Sequence, residues 1–150
     1  MRIGFTCSTF DLFHAGHALM LKEAKEVCDY LIVGLQTDPT LDKATTNEQD
    51  DLPYKSDRSH KQKPIMSLEE RRILLENSKH VDFIIEYDTE VDLYNLLKIL
   101  KIDIRIIGSD YKGKGFTGKD LVEDGIHEIY YNSRNHDYST TNLRERIKKL

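Results

Sequence analysis

The sequence predicts an α/β domain: a parallel sheet with helices on both faces, joined by right-handed crossovers. Three observations carry this. Short apolar runs alternate with segments of helical period along the 150 residues. One run, YLIVGL at 30–35, is nearly unbroken, as suits a strand covered on both sides. The first run closes on STFDLFHAGH, a turn rich in ligand-type side chains, and such folds keep ligands beyond the carboxyl ends of their strands.

The elements follow in order. Residues 3–7 read as a first strand. Residues 15–27 read as a helix, because Met20, Leu21, Ala24, Val27 and Cys28 recur at helical spacing with lysines and glutamates opposite. After the 30–35 strand, residues 37–66 are polar, carry Pro39, Pro53 and Pro64, and show no period. A connection of this length is expected to be a functional lid or a mobile segment. Residues 67–78 read as a helix opened by a capping box, Ser67 with Glu70. A strand at 81–85 and a helix at 90–100 follow, the latter with Leu93, Leu96, Leu97 and Leu100 on one side. Strands are expected at 102–107 and 127–131, separated by a loop. The last helix is expected over 139–150, where Leu143, Ile147 and Leu150 align.

Bulk composition narrows the function. A net charge of −4 gives no global basic field for nucleic acid or anionic membrane. No apolar run spans a bilayer, and MRIGFTCSTF lacks a signal-peptide layout, so a cytoplasmic protein without membrane insertion is expected. Two cysteines, Cys7 and Cys28, are read as buried free thiols in a reducing compartment.

The stretch from Thr9 to His17 carries the chemistry. Gly16 lets backbone approach a ligand closely. The helix that follows offers free N–H groups and a positive dipole end to a phosphate. His14 and His17, three apart in the first turn, project to one side and can contact a phosphoryl group that gains charge in its transition state. The alternatives are plain capping by solvated histidines, or half of a metal site; no cysteine or third histidine stands nearby at zinc-like spacing.

TFDLFHAGH resembles the HxGH segment of the cytidylyltransferase-like nucleotidyltransferase superfamily. Three more segments agree in order: SLEERRILLENSKHVDFII with the E-x-R helix and V-D strand, IIGSDYKGK with G-D-D-W, and RNHDYSTTNLRERI with R-T-x-G-I-S-T-T. Within the family the chain is most similar to the small glycerol-3-phosphate cytidylyltransferases. The resemblance implies a single Rossmann-like domain over 1–150, with a five-stranded parallel sheet in the order 3-2-1-4-5 and an active-site loop at about 37–66.

The implied reaction transfers CMP from CTP to a small alcohol phosphate, with glycerol 3-phosphate the first choice and pyrophosphate the leaving group. Mg²⁺ would be bound mainly through the nucleotide phosphates, and a homodimer is expected around the E-x-R helix. By the same resemblance His14, His17, Lys61 and Arg134 act on the reacting phosphates. Thr9, Phe10, Asp11, Gly16, Lys63, Arg71, Asp110, Ser139, Thr140 and Thr141 bind the nucleotide or shape its site. Asp11 is alternatively a cap at the start of the first helix. Ser139–Thr141 are alternatively a plain N-cap, and Arg71 alternatively braces a subunit interface. Asp82 is read as structural.

Some positions depart from the family pattern. Asn135, Asp137 and Tyr138 replace threonine, glycine and isoleucine in a segment that touches the base in relatives. The helix after the third strand has no lysine before Lys98, where glycerol-phosphate members carry one early. His136 is read as a surface histidine. The rival readings are an adenylyltransferase using ATP, like the heptose-phosphate or flavin relatives, a fragment of a class I aminoacyl-tRNA synthetase, and a non-catalytic nucleotide-sensing module.

Overall fold

A computed structural model describes residues 1–44, 52–54 and 60–150. Five strands run as β1 (Ile3–Ser8), β2 (Tyr30–Gln36), β3 (Phe83–Tyr87), β4 (Ile104–Gly108) and β5 (Glu128–Asn132). The helices are α1 (Ala15–Glu26), α2 (Leu41–Ala44), α3 (Leu68–Glu76), α4 (Glu90–Ile99), α5 (Lys119–Glu123) and α6 (Thr140–Lys148), with a 3₁₀ turn at Ser109–Tyr111. The strands form one sheet in the order β3-β2-β1-β4-β5, and every neighbouring pair is parallel. Fold class and strand order therefore match expectation.

The period of two along each strand divides the core. Leu31, Val33 and Leu35 of β2, Ile84 of β3, and Ile104 and Ile106 of β4 pack with Leu21 and Ala24 of α1 and Leu75 of α3. Phe5 of β1 and Tyr87 of β3 face the other way and pack with Leu93 and Leu97 of α4 and Leu121 of α5. The unbroken run in β2 is thus covered on both faces, as its composition required.

Helix starts follow local chemistry. The Ser67 hydroxyl accepts from Glu70 N at 3.1 Å and the Glu70 carboxylate accepts from Ser67 N at 3.0 Å, closing the expected capping box. Thr89 and Asp92 form the same arrangement at α4.

Boundaries differ for physical reasons. β3 begins at Phe83, not 81, because the Asp82 carboxylate accepts from Leu31 N at 2.8 Å and pairs with Lys25. Asp82 is structural, as read. β4 begins at Ile104 instead of 102. α6 is shorter than expected at both ends, since Ser139 is its N-cap and Lys149 its C-cap. The 108–126 connection, expected to be a loop, contains the 3₁₀ turn and α5, whose five residues are too few to show a period. The 37–66 connection contains α2, and its expectation over 45–51 and 55–59 lies outside the described residues. No described helix is long and apolar enough to cross a membrane.

Candidate active site

Between β1 and α1 the chain turns through two left-handed residues, Phe10 at φ 55° and Leu12 at φ 50°. Neither is glycine, so each position costs about 1–2 kcal/mol that the surroundings must offset. Asp11 lies between them, 5% exposed. Its carboxylate accepts from Ile65 N and Met66 N, both at 2.9 Å, and pairs with Arg144 at 3.0 Å. It does not cap α1, contrary to the alternative given for it. It clamps the end of the long loop and the last helix against the carboxyl end of β1.

The cap of α1 is His14. Its Nδ1 accepts from Gly16 N at 2.9 Å, and His17 Nδ1 accepts from His14 N at 3.3 Å. The two rings stack with centroids 3.8 Å apart. Because both Nδ1 atoms accept from backbone, each neutral ring carries its proton on Nε2. Burial pushes His17 down to about 3, helped by the charges of His14 and Arg134, and burial also lowers His14. At neutral pH the site thus holds two neutral imidazoles, each with one Nε2–H donor. Gly16 is required by contact: a Cβ there would lie 2.7 Å from His14 Cε1 and 2.8 Å from the Tyr138 carbonyl oxygen.

The far end of the chain closes on the same place. Ser139 caps α6, its hydroxyl accepting from Asn142 N at 3.0 Å, so the plain N-cap geometry is present. The Thr140 hydroxyl donates to the Asp11 carbonyl at 3.1 Å and ties α6 to the β1–α1 turn. His14, Gly16, His17, Thr9, Lys61, Arg134, Ser139 and Thr140 line one cavity of about 270 Å³ at the carboxyl edge of the sheet. A second cavity of about 510 Å³ adjoins it, sharing Thr9, His17, Lys61 and Thr140 and adding Phe10, Asp11 and Thr141.

Residues 5–53 match the family model described as cytidylyltransferase-like. The chain is 31% identical over 147 residues, 98% of its length, to the "Bifunctional protein HldE" of Campylobacter concisus, and 32% identical over 148 residues, 99% of its length, to that of Helicobacter pylori strain 26695. The chain belongs to the cytidylyltransferase-like nucleotidyltransferase superfamily. It spans only 27% and 28% of those two relatives, about a quarter of each. Among solved structures, a lipopolysaccharide core biosynthesis protein from Thermoplasma volcanium superposes with a TM-score of 0.63 at 27% identity, covering 93% of this chain and 99% of that one. A pantoate-beta-alanine ligase from Francisella tularensis, at TM-score 0.59 and 21% identity, covers 95% of this chain and 65% of its own and shares the fold.

Other residues that the superfamily resemblance singled out lie apart from the cavities. Arg71 is 2% exposed and lines neither cavity. Its guanidinium donates to four main-chain carbonyls: Met66 at 3.2 Å, Thr9 at 3.0 Å, Gln36 at 2.6 Å and Thr37 at 2.7 Å. It binds the carboxyl ends of β1 and β2 together, which corrects both its phosphate and its interface readings. Asp110 pairs with Arg134 at 3.2 Å across Gly108, with both side chains over half exposed, and only Arg134 lines the cavity. Lys63 lines neither cavity.

Further corrections concern sulfur and aromatic groups. Cys7 and Cys28 are free but only half-buried, and Cys7 lines the cavity at the end of β1. His136 is no plain surface residue: it lines the cavity and stacks on Tyr138 at 5.1 Å, giving that wall two aromatic rings. Sequence reasoning missed Tyr87, Glu90, Arg105 and Thr117, which line the cavity from the α4–α5 side. A buried arginine among the apolar residues of IDIRIIG was the available signal.

Proposed function

We propose that the protein is a nucleotidyltransferase that joins a nucleoside monophosphate to a small phosphorylated alcohol or sugar. The observation that carries this is one cavity lined together by His14, His17, Ser139, Thr140, Lys61 and Arg134. A phosphate oxygen of the acceptor attacks the α-phosphorus of the triphosphate in line, the bond to the bridging oxygen breaks, and pyrophosphate leaves. Phosphoryl chemistry of this kind needs positioning and charge stabilisation and no protein nucleophile. His14 and His17 stabilise charge at the reacting phosphorus. The α6 start and Arg134 hold the outgoing phosphates.

Magnesium would enter on the triphosphate and neutralise part of its charge. Such an ion needs few protein ligands, because phosphate oxygens and water fill most of its coordination shell.

CTP with an alcohol phosphate is the first reading of the substrates, supported by the family description over residues 5–53. ATP with a phosphorylated sugar is the second. It is favoured by the aromatic wall of His136 and Tyr138, by the absence of an early lysine in α4, and by the likeness to a lipopolysaccharide core biosynthesis protein. Pyrophosphate release with each nucleotide against a panel of alcohol and sugar phosphates tests both. His14→Asn preserves a good N-cap residue yet removes the Nε2–H donor, so the rate is expected to fall by about 10²–10³ with the fold intact. No pyrophosphate from any pair, or an unchanged rate in this variant, would refute the reading.

A homodimer is part of the proposal. Ile73 and Leu74 of α3 and, on the other face of the edge strand β3, Phe83 are exposed apolar residues beside that sheet edge. A charge at Phe83 (Phe83→Glu) should shift the sedimenting species to monomer. A wild-type protein that sediments as a monomer at micromolar concentration rejects the dimer.

A further inference from the structure

Arg105 stands where the fold calls for a hydrocarbon. Its neighbours Ile104 and Ile106 belong to the core against α1, so the alternation of β4 turns Arg105 to the α4–α5 face, beside Phe5. It is 3% exposed. One N–H donates to the Thr117 carbonyl at 2.8 Å, and the guanidinium carbon lies 5.9 Å and 5.6 Å from the rings of Phe5 and Phe116. Nε is buried and without a hydrogen-bond partner. Glu90 lines the same cavity, yet among the described residues no carboxylate stands within ion-pair distance of the guanidinium.

A buried cation without an anion is costly, and an apolar residue of similar volume would fold at least as well. The residue lines the same cavity as His14, His17 and Ser139. We propose that Arg105 is the base of an oxyanion subsite, where the acceptor's own phosphate or carboxylate docks on the α4–α5 side of the reaction cavity. This rests on the nucleotidyltransferase reading for the identity of the ligand as acceptor, but not for the binding of an anion. The planar fork of N–H groups suits a two-oxygen contact, and the flanking Phe5 and Phe116 rings keep the guanidinium oriented.

The test uses the full chain without acceptor. Inorganic phosphate and acetate are titrated into protein alone and into protein saturated with CTP or ATP, so that phosphate in the triphosphate region is displaced. The Arg105 Nε–H resonance, assigned by its loss in Arg105→Met, should move with one of the two probes, and which one moves it separates phosphate from carboxylate. Arg105→Met should weaken that binding about 30-fold, the worth of a charge-assisted pair, and Arg105→Lys should recover part of it. Nucleotide affinity should stay within about twofold and the melting temperature should not fall, because a structural arginine would lower it.

With a turned-over acceptor, the methionine variant should raise KM more than it lowers kcat. A resonance that moves with neither probe, or equal anion affinity in wild type and Arg105→Met, overturns the proposal. Arg105→Lys also lacks the guanidinium Nε–H, so it supplies the assignment and the affinity comparison if the methionine variant does not fold. Absence of pyrophosphate release with intact anion binding would defeat the reaction reading alone.

Discussion

Replacing Arg71 by methionine separates a structural arginine from a phosphate-binding one. The guanidinium holds four carbonyls from three segments, the ends of β1 and β2 and the residue before the Ser67 cap of α3. Methionine replaces the stem of the side chain as far as Nε and offers no donor. The Gln36 bond lies wholly in the interior, so its carbonyl loses its arginine donor where water does not reach. The Met66, Thr9 and Thr37 bonds are partly exposed and recover some hydration. One buried orphaned acceptor at about 2 kcal/mol, with smaller losses at the others, gives about 3 kcal/mol. For a chain of this size that corresponds to a drop in melting temperature of about 6–12 °C. Arg71→Lys keeps the charge but reaches fewer carbonyls and should lose about half as much. Thermal melts and urea midpoints at fixed protein concentration measure the effect, beside nucleotide titrations. A melting temperature lowered by less than about 3 °C, together with a tenfold loss of nucleotide affinity, would show that the guanidinium acts on phosphate and that its placement here is wrong.

Two further outcomes are expected. Gly16→Ala must displace either the His14 ring or the backbone at Tyr138, at a cost of about 1–3 kcal/mol; a melt lowered by several degrees and loss of pyrophosphate release are expected, and a wild-type rate would contradict the close approach. His17, held near 3, should show no imidazole titration by NMR between pH 8 and 5. Its folded value lies below the unfolded one of about 6.5, so the unfolded chain takes up the proton first as pH falls. The stability it contributes is complete above about pH 6.5 and is lost from there toward 3; a midpoint above 5 in the unliganded protein would refute its buried, neutral state.

The elements legible in the sequence were those with a period or a cap. The run at 30–35 fixed a central strand because only an interior position tolerates six such residues in succession, and Ser67 with Glu70 fixed the start of α3 because the pair satisfies two orphan donors at once. α5 was hidden because one turn and a half carries no period, and Gly118 at φ 89° before it reads as loop. The edges of β3 and β4 moved because register is set by tertiary contacts, such as the Asp82 carboxylate on Leu31 N, that local sequence does not encode.

At the site, what the sequence conveyed was proximity, and what it withheld was direction. His14, Gly16 and His17 lie more than a hundred residues from Ser139 and Thr140 and line one cavity with them, yet nothing local states that Asp11 turns its carboxylate to Ile65, Met66 and Arg144, or that Arg71 turns inward to four carbonyls. Charged side chains that a motif marks for a ligand can serve the scaffold that presents the ligand site. The strained turn at Phe10 and Leu12 supplies the reason here. A left-handed pair between strand and helix persists only if the surroundings over-determine it, and Asp11 between the two residues, with Arg71 on the Thr9 carbonyl just before them, does so. On that reasoning Asp11 and Arg71 hold the backbone whose next turn sets the two imidazoles, while His14, His17, Ser139 and Thr140 line the cavity proposed for the phosphates.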